Sequence, residues 1–386
     1  VNRVYLDHAA ASPVDPEALE AFREGCDLCF ANTSSVHSFA QRADFALQNA
    51  RERLTNLLNA PKATAVFTAT GTEADNLAIL GCALAAQKKF GHNHIIISAA
   101  EHPAVDNSAR RLQQEYQFEV TRVPVDAEGF PQASAIEAAI RPSTALCSFL
   151  LANNEVGTIS PLKSLARLCK EKNPGVMVHT DAVQAAAWTL LDFSDLESDI
   201  ITIGGHKFGS PGGGALIARK QVPLIPLTVG GGHEHGLRAG TPNVPEILAL
   251  VRALEVRREK LWLGADNIAA LRDSLVRGIL DSINGVTLTG HPTQRLPNHA
   301  SFVFESLEGN TLARMLDFKG FAVSPGAACK TGNPAPSAVL TAMGLSRERA
   351  MGGLRISLGF ETRADDISAL LHFLPEAVAR ARASFR

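Results

Sequence analysis

The chain has 386 residues, 46% apolar and 20% charged, with a formal net charge of −2. This composition predicts a globular chain rather than a disordered one, and the length suggests one large and one smaller domain. No long basic run occurs, so direct nucleic-acid binding is not expected. No apolar run approaches a membrane span, and the first residues carry no secretory core, so the expectation is a cytoplasmic protein with no membrane contact.

Tyr5-Leu-Asp-His-Ala-Ala-Ala-Ser-Pro13 reads as a short strand followed by small residues and a turn, suited to pass close to a ligand. Helical patterns follow over Asp15 to about Phe30 and Ala40 to about Leu58, flanking a polar loop from Asn32 to His37. Cys26 and Cys29 have the spacing of a redox or metal pair. They also continue the apolar spacing of Leu19 and Phe22, and no second such pair occurs, so both are expected in a buried helix face.

Ala65 to Thr68 is strand-like, and Ala69-Thr-Gly-Thr-Glu-Ala-Asp-Asn76 then enters a helix expected over 77 to about 86. Small and hydroxyl residues at such a turn suit a phosphate, because free backbone N–H groups and the positive helix end point at it. A helix cap explains the same residues equally well. Ile95 to Ser98 is a buried strand ending near His102, which either lies on the surface or stacks on a flat ring. The strand over 144–150 ends in Asn153-Asn154-Glu155.

The next two strands carry the strongest signal. Val178-His-Thr-Asp-Ala-Val-Gln184 and Asp199-Ile-Ile-Thr-Ile-Gly-Gly-His-Lys207 are apolar, β-branched runs that end abruptly in polar residues, as buried parallel strands do at their carboxyl ends. They would present Asp181, Gln184, His206 and Lys207 to one crevice. A lysine there is costly unless neutral or bound, which suits an aldehyde cofactor held as an imine, with Asp181 keeping a pyridine nitrogen protonated. A simple ion pair is the alternative.

Beyond them, His233-Glu-His235 lacks a third ligand at a recognisable spacing, so no metal is expected. A charged helix over 245–263 suggests a domain boundary. Helices over 269–283 and 311–318, strands over 301–304, 321–324 and 354–358, and a C-terminal helix then suit a small α+β domain. The loop from about 324 to 336 holds Cys329 among small residues and beside Lys330, a setting that favours a thiolate nucleophile.

Together, Glu101-His-Pro-Ala-Val, Asn153-Asn-Glu-Val-Gly, His179-Thr-Asp-Ala-Val-Gln, Gly205-His-Lys, Arg238-Ala-Gly-Thr, Leu296-Pro-Asn and Gly326-Ala-Ala-Cys resemble the pyridoxal-phosphate-dependent cysteine desulfurases, in particular their first group, of the class V aminotransferase superfamily. The resemblance implies an α/β fold of type I, with a mostly parallel seven-stranded sheet in a large domain (14–260) and an α+β small domain (1–13 and 261–386). It makes Lys207, His102 and Cys329 catalytic. Lys207, Asp181, Gln184, Asn154, His102, Gly71, Thr72 and His206 would bind pyridoxal 5′-phosphate, and Thr241 would reach it from the second subunit of a homodimer. Arg355 and Asn32 would hold the substrate, L-cysteine, whose sulfur passes through a Cys329 persulfide to an acceptor protein, a scaffold or carrier the resemblance does not identify. An aminotransferase or lyase, or a non-catalytic subunit, are the competing readings. Gly204 stands where the family usually has a serine or threonine for the phosphate, and Pro325 and Ala327 replace two serines before the cysteine. His235 replaces an arginine. The sequence also ends soon after its last expected helix, without the tail some members use to dock an iron-sulfur scaffold.

Overall fold

The computed structural model describes residues 3–326, 329–330 and 333–384, with side chains described outside 327–334. Its centre is a seven-stranded sheet. In spatial order the strands are Thr64–Thr68, Gly214–Ala218, Ile200–Gly204, Met177–Asp181, Thr144–Ser148, His94–Ser98 and Glu119–Val123. Gly214–Ala218 runs antiparallel to both its neighbours, and all other pairings are parallel. Each inner strand is buried along its length, which is why these segments read as continuous apolar runs rather than alternating ones. The parallel strands therefore deliver their polar ends to one edge of the sheet, the position where open α/β sheets bind ligands.

A second, antiparallel sheet orders Ser324–Pro325, Gly353–Ser357, His299–Phe304 and Val286–Leu288. Beside it, Val4–Tyr5 pairs in parallel with Phe321–Ala322. The reactive loop emerges from this region, and its backbone forms a small hairpin pairing Cys329–Lys330 with Asn333–Pro334.

Three local expectations are corrected. The helices expected over 245–263 and 269–283 are one helix, Val244–Ser282, capped by the Asn243 side chain on the Glu246 N–H. Its 39 residues span about 58 Å at the usual rise, and Gly264 is tolerated within it because the helix is held along its length by Pro16–Leu28, Ser38–Leu57 and Ala364–Ser384. The helix expected from 77 begins at Gly71 and passes through a π-helical segment, Leu77–Gly81, before Cys82–Phe90. Cys26 is exposed and only Cys29 is buried, because the first helix packs through Ala18 and Gly25 and turns Leu19 and Cys26 outward.

The His233-Glu-His235 motif has a structural role. Glu234 is buried, receives both terminal nitrogens of Arg51 at 2.8 Å, and accepts the Phe67 N–H at 2.7 Å. Removing one partner strands the other charge, so Glu234→Gln should destabilise the fold by about 3 kcal/mol. Thermal unfolding should show this loss, with no response to added zinc or chelator in either protein.

Candidate active site

Residues from the ends of several strands converge on a cleft of about 170 Å³. Every residue expected to hold the cofactor lines it except Thr241. Lys207 ends the tight turn Gly205–Lys207 after its strand, and its Nζ donates to the carbonyls of Ala9 at 2.7 Å and Ala10 at 2.6 Å. Burial, assisted by Arg355, lowers its pKa to about 8 against the pull of Asp181 and Asp7. The amine is thus neutral far more often than an exposed lysine, as a nucleophile toward an aldehyde must be.

Asp181 ends its strand, and its Oδ1 accepts the Val183 N–H at 2.8 Å. Burial raises its pKa, opposed by His102, the Val183 N–H and Lys207. His102 caps the helix Pro103–Tyr116, with Nδ1 accepting the Ala104 N–H at 3.1 Å, so in the neutral ring the proton sits on Nε2. Burial lowers the pKa of His102, and lowers that of His206 to about 4, keeping both rings neutral. Gln184 donates from Nε2 to Ala9 O at 2.6 Å, and its buried Oε1 has no partner among the described residues.

The cleft fits pyridoxal phosphate. Gly71 opens the long helical run that continues through Phe90, where unpaired N–H groups favour a phosphate. A Cβ on Gly71 would come within 2.9 Å of Val183 Cγ2, so the cradle requires glycine. Opposite the cradle lie a carboxylate for a ring nitrogen and a depressed lysine for an aldehyde. Asp75 also lines the cleft and was missed in the sequence, where it reads as part of a capped helix. Its signal is spacing, because residues three and four apart share a helix face and Asp75 follows Gly71 and Thr72 at those intervals.

Arg355 lies on Gly353–Ser357, mostly buried, with Nη1 donating to Asn154 O at 2.9 Å and Nη2 to Asp7 Oδ1 at 2.7 Å. Its Nε has no partner among the described residues. Asn32 and Thr241 are exposed and do not line the cleft of this chain, and Asn32 Oδ1 accepts the Ser34 N–H. The Cys329 side chain lies outside the described residues. Where its loop ends, the Ser337 hydroxyl bonds the buried Glu155 carboxylate, fixing the loop's far root beside the Asn154 turn.

Parallel strand ends that bring together a partly buried, depressed lysine, a buried acid and a glycine-opened helix start are the arrangement of a pyridoxal-phosphate enzyme of fold type I. The class-V aminotransferase profile matches residues 4–370. The chain is 41% identical over 384 residues to a cysteine desulfurase IscS of Clostridium botulinum, covering 99% of this chain and 96% of that one. It is 40% identical over 380 residues to a cysteine desulfurase IscS of Methanosarcina thermophila, covering 98% and 93%. Among solved structures, a NifS-like protein superposes with a TM-score of 0.90 at 34% identity, covering 98% of this chain and all of that one. A structure of SspA in complex with cysteine gives a TM-score of 0.78 at 32% identity, covering 92% and 98%. The chain therefore belongs to the class-V aminotransferase family of pyridoxal-phosphate enzymes, and within it to the cysteine desulfurases.

The depressed lysine and the glycine-lined cradle each have a measurable consequence. Because imine formation needs the neutral amine, the rate at which cofactor-free protein takes up pyridoxal phosphate should rise with pH and level off above about 8, instead of near the ordinary lysine value of about 10.4. Stopped-flow absorbance reads this profile. At Gly204, an added Cβ would lie 3.4 Å from both the Gly71 N and Cα, close to ordinary contact. Gly204→Ser should therefore fit and offer the phosphate a hydroxyl, slowing cofactor loss on dialysis roughly five- to tenfold, for about 1 kcal/mol gained.

Proposed function

We propose that the protein converts L-cysteine to L-alanine and leaves the sulfur as a persulfide on Cys329, for delivery to an acceptor protein. The observation that carries this reading is a guanidinium, Arg355, held by Asn154 and Asp7 near enough to Lys207 to help depress that lysine toward neutrality. The similarity to SspA, whose structure is a complex with cysteine, supports the substrate. Bound in the cleft, the cofactor supplies an electron sink for the pair released when the Cα–H bond breaks.

The chain's own residues do the rest. Arg355 orients the substrate through its carboxylate, a task suited to a planar guanidinium. Lys207, the residue that would hold the cofactor's aldehyde, would take the Cα proton at Nζ. His102, which lines the cleft, neutral and with its Nε2–H available, would lie against the bound cofactor and can hand a proton onward. The Cys329 thiolate attacks the substrate sulfur, the Cβ–S bond breaks, and protonation of the three-carbon fragment gives alanine. In balance, one thiol and one cysteine become one persulfide and one alanine, with no outside oxidant. The loop must then carry the persulfide out of the cleft, pivoting between the strand Ser324–Pro325 and the Ser337–Glu155 bond.

The same reading makes the working form a homodimer in which Thr241 of each chain completes the other's phosphate site. It is supported by the exposure of Thr241 and by the exposed Phe30 and Phe39 rings, whose centroids lie 5.7 Å apart. The acceptor belongs to iron-sulfur assembly or to another thiolation pathway. The cytoplasm fits a persulfide donor, and no described helix is long and apolar enough to cross a membrane.

Single-turnover reaction of the holoenzyme with L-cysteine, without reductant, tests the chemistry. One alanine per site and one added sulfur on the peptide containing Cys329 are expected, both lost in Cys329→Ser. Equal alanine or pyruvate from that variant would mark a lyase instead. Arg355→Lys should raise KM about ten- to hundredfold with a smaller change in kcat, because the two-point clamp is lost while the charge remains.

A further inference from the structure

Three carboxyl groups are buried together at this site, and the reaction as described uses only one. Asp75, His102 and Asp181 each place a polar atom within 4.8 Å of the others. Glu101 lies beside them, with Oε1 accepting the Leu150 N–H at 2.8 Å and Oε2 without a partner among the described residues. Asp75 and Asp181 are almost completely inaccessible to water.

The surroundings cannot neutralise more than one negative charge. The titratable groups facing Asp75 are Asp181 and His179 from one strand, Glu101 and His102 from the start of the next helix, and His206 and Lys207 from the turn that closes the cleft. Thr64–Thr68, Gly214–Ala218 and Leu77–Gly81, which also pack on the helix of Asp75, contribute none. His102 and His206 are neutral, burial lowers His179 to about 3, and Arg355 is already engaged by Asp7. Among the described residues Lys207 alone remains, and it is shared with the cofactor. Like charges this close in a dry site do not both ionise.

The two acids differ in their hydrogen-bond partners. Asp181 receives a backbone N–H and faces His102 and Lys207. Asp75 instead meets a hydroxyl, with Thr202 Oγ1 2.5 Å from its Oδ1. Thr202 Oγ1 is in turn 3.2 Å from His179 Nε2, and His179 Nδ1 is 2.9 Å from Ser148 Oγ. Heavy-atom geometry lets Thr202 donate to Asp75, but in the arrangement we favour a neutral His179 carries its proton on Nδ1, donates to Ser148 and accepts from Thr202, and the Thr202 oxygen accepts from a protonated Asp75. Every member of that chain is then satisfied without a second charge. Burial, and then the Asp181 charge, push the Asp75 pKa well upward and outweigh the Thr202 hydrogen bond, which pulls it down.

We propose that Asp75 is a positioning residue that stays protonated in the holoenzyme and, through the Thr202–His179–Ser148 chain, leaves the site's single carboxylate charge on Asp181, opposite the cofactor's ring nitrogen. An ionised Asp75 would spread negative charge behind Asp181 and strengthen its hold on the ring proton. A neutral Asp75 keeps the Asp181–ring pair poised. The proposal rests on the cofactor reading of the cleft and not on Cys329, and its readouts require no turnover of cysteine.

The test compares wild-type holoenzyme with Asp75→Asn, a neutral isostere, and Glu101→Gln. The infrared difference spectrum of wild type minus Asp75→Asn should show loss of a protonated carboxylic-acid carbonyl band, and that band should persist in Glu101→Gln. The pH midpoint of the cofactor's visible absorbance should move by less than about 0.3 unit in Asp75→Asn, and the NMR shift of an isotope-labelled ring nitrogen should stay in place. If Asp75 is ionised, the infrared difference shows a lost carboxylate band, and removal of its charge lowers the midpoint by about one unit or more. Either result overturns the proposal. A holoenzyme that passes these tests but forms no persulfide would overturn the desulfurase step alone, and the infrared band is read on the protein whether or not the cofactor binds well.

Discussion

The site depends on one constraint, the burial of a lysine among acids at the ends of parallel strands. Desolvation is the largest influence on Lys207, Asp181, His102 and His206, and in each case it favours the uncharged form. A cleft tuned this way resists holding isolated charges but accommodates them in pairs. A ring cation opposite Asp181 and a phosphate at the start of the helix from Gly71 are such pairs, so the arrangement favours this cofactor over a molecule carrying only one of the charges.

The N-terminal segment connects that cleft to the rest of the reaction. Ala9 and Ala10 receive the Lys207 ammonium, and Ala9 also receives Gln184. Two residues earlier, Asp7 holds Arg355, and two further back Val4–Tyr5 pairs with Phe321–Ala322, just before the strand from which the cysteine loop departs. Ser357, two residues beyond Arg355 on the same strand, completes the attachment by accepting the Ala9 N–H at 2.8 Å. The lysine, the carboxylate clamp and the near root of the loop therefore share one short extended segment. A displacement of that segment alters all three, which gives substrate binding a mechanical route to the loop without a separate hinge.

Much of this was legible in the sequence because buried parallel strands write themselves plainly. The β-branched runs before Asp181 and Lys207 sit between polar residues, and their ends fall where expected. The strand-to-helix turn before that segment was legible too, although the helix starts at Gly71 rather than 77. Other features carry no composition signal. Backbone carbonyls at Ala9, Ala10 and Asn154 do much of the holding, and no residue type announces a carbonyl. Asp75 hides because an acid near a helix start is what capping also predicts. Tertiary packing joins two helical patterns across Gly264 into one helix, and the same packing turns Cys26 outward although its spacing matches that of the apolar residues.

As the proposed carboxylate clamp, Arg355 is kept both stable and available by its pair with Asp7. A buried guanidinium without a counter-ion would be strongly unfavourable, and before substrate arrives the Asp7 carboxylate at 2.7 Å and the Asn154 carbonyl meet that need. Asp7 is only half-buried, so it can return to water at modest cost or stay and share the cation. The partnerless Nε lies, shielded from solvent, next to the Nη2 that Asp7 already engages, so on the proposed reading a carboxylate that displaces Asp7 from Nη2 would find Nε–H as its second donor. Since the pair is close to neutral overall, its long-range attraction for anions is small. Selection therefore falls to short-range geometry, which suits a zwitterionic amino acid and disfavours a substrate bringing a second negative group toward Asp7.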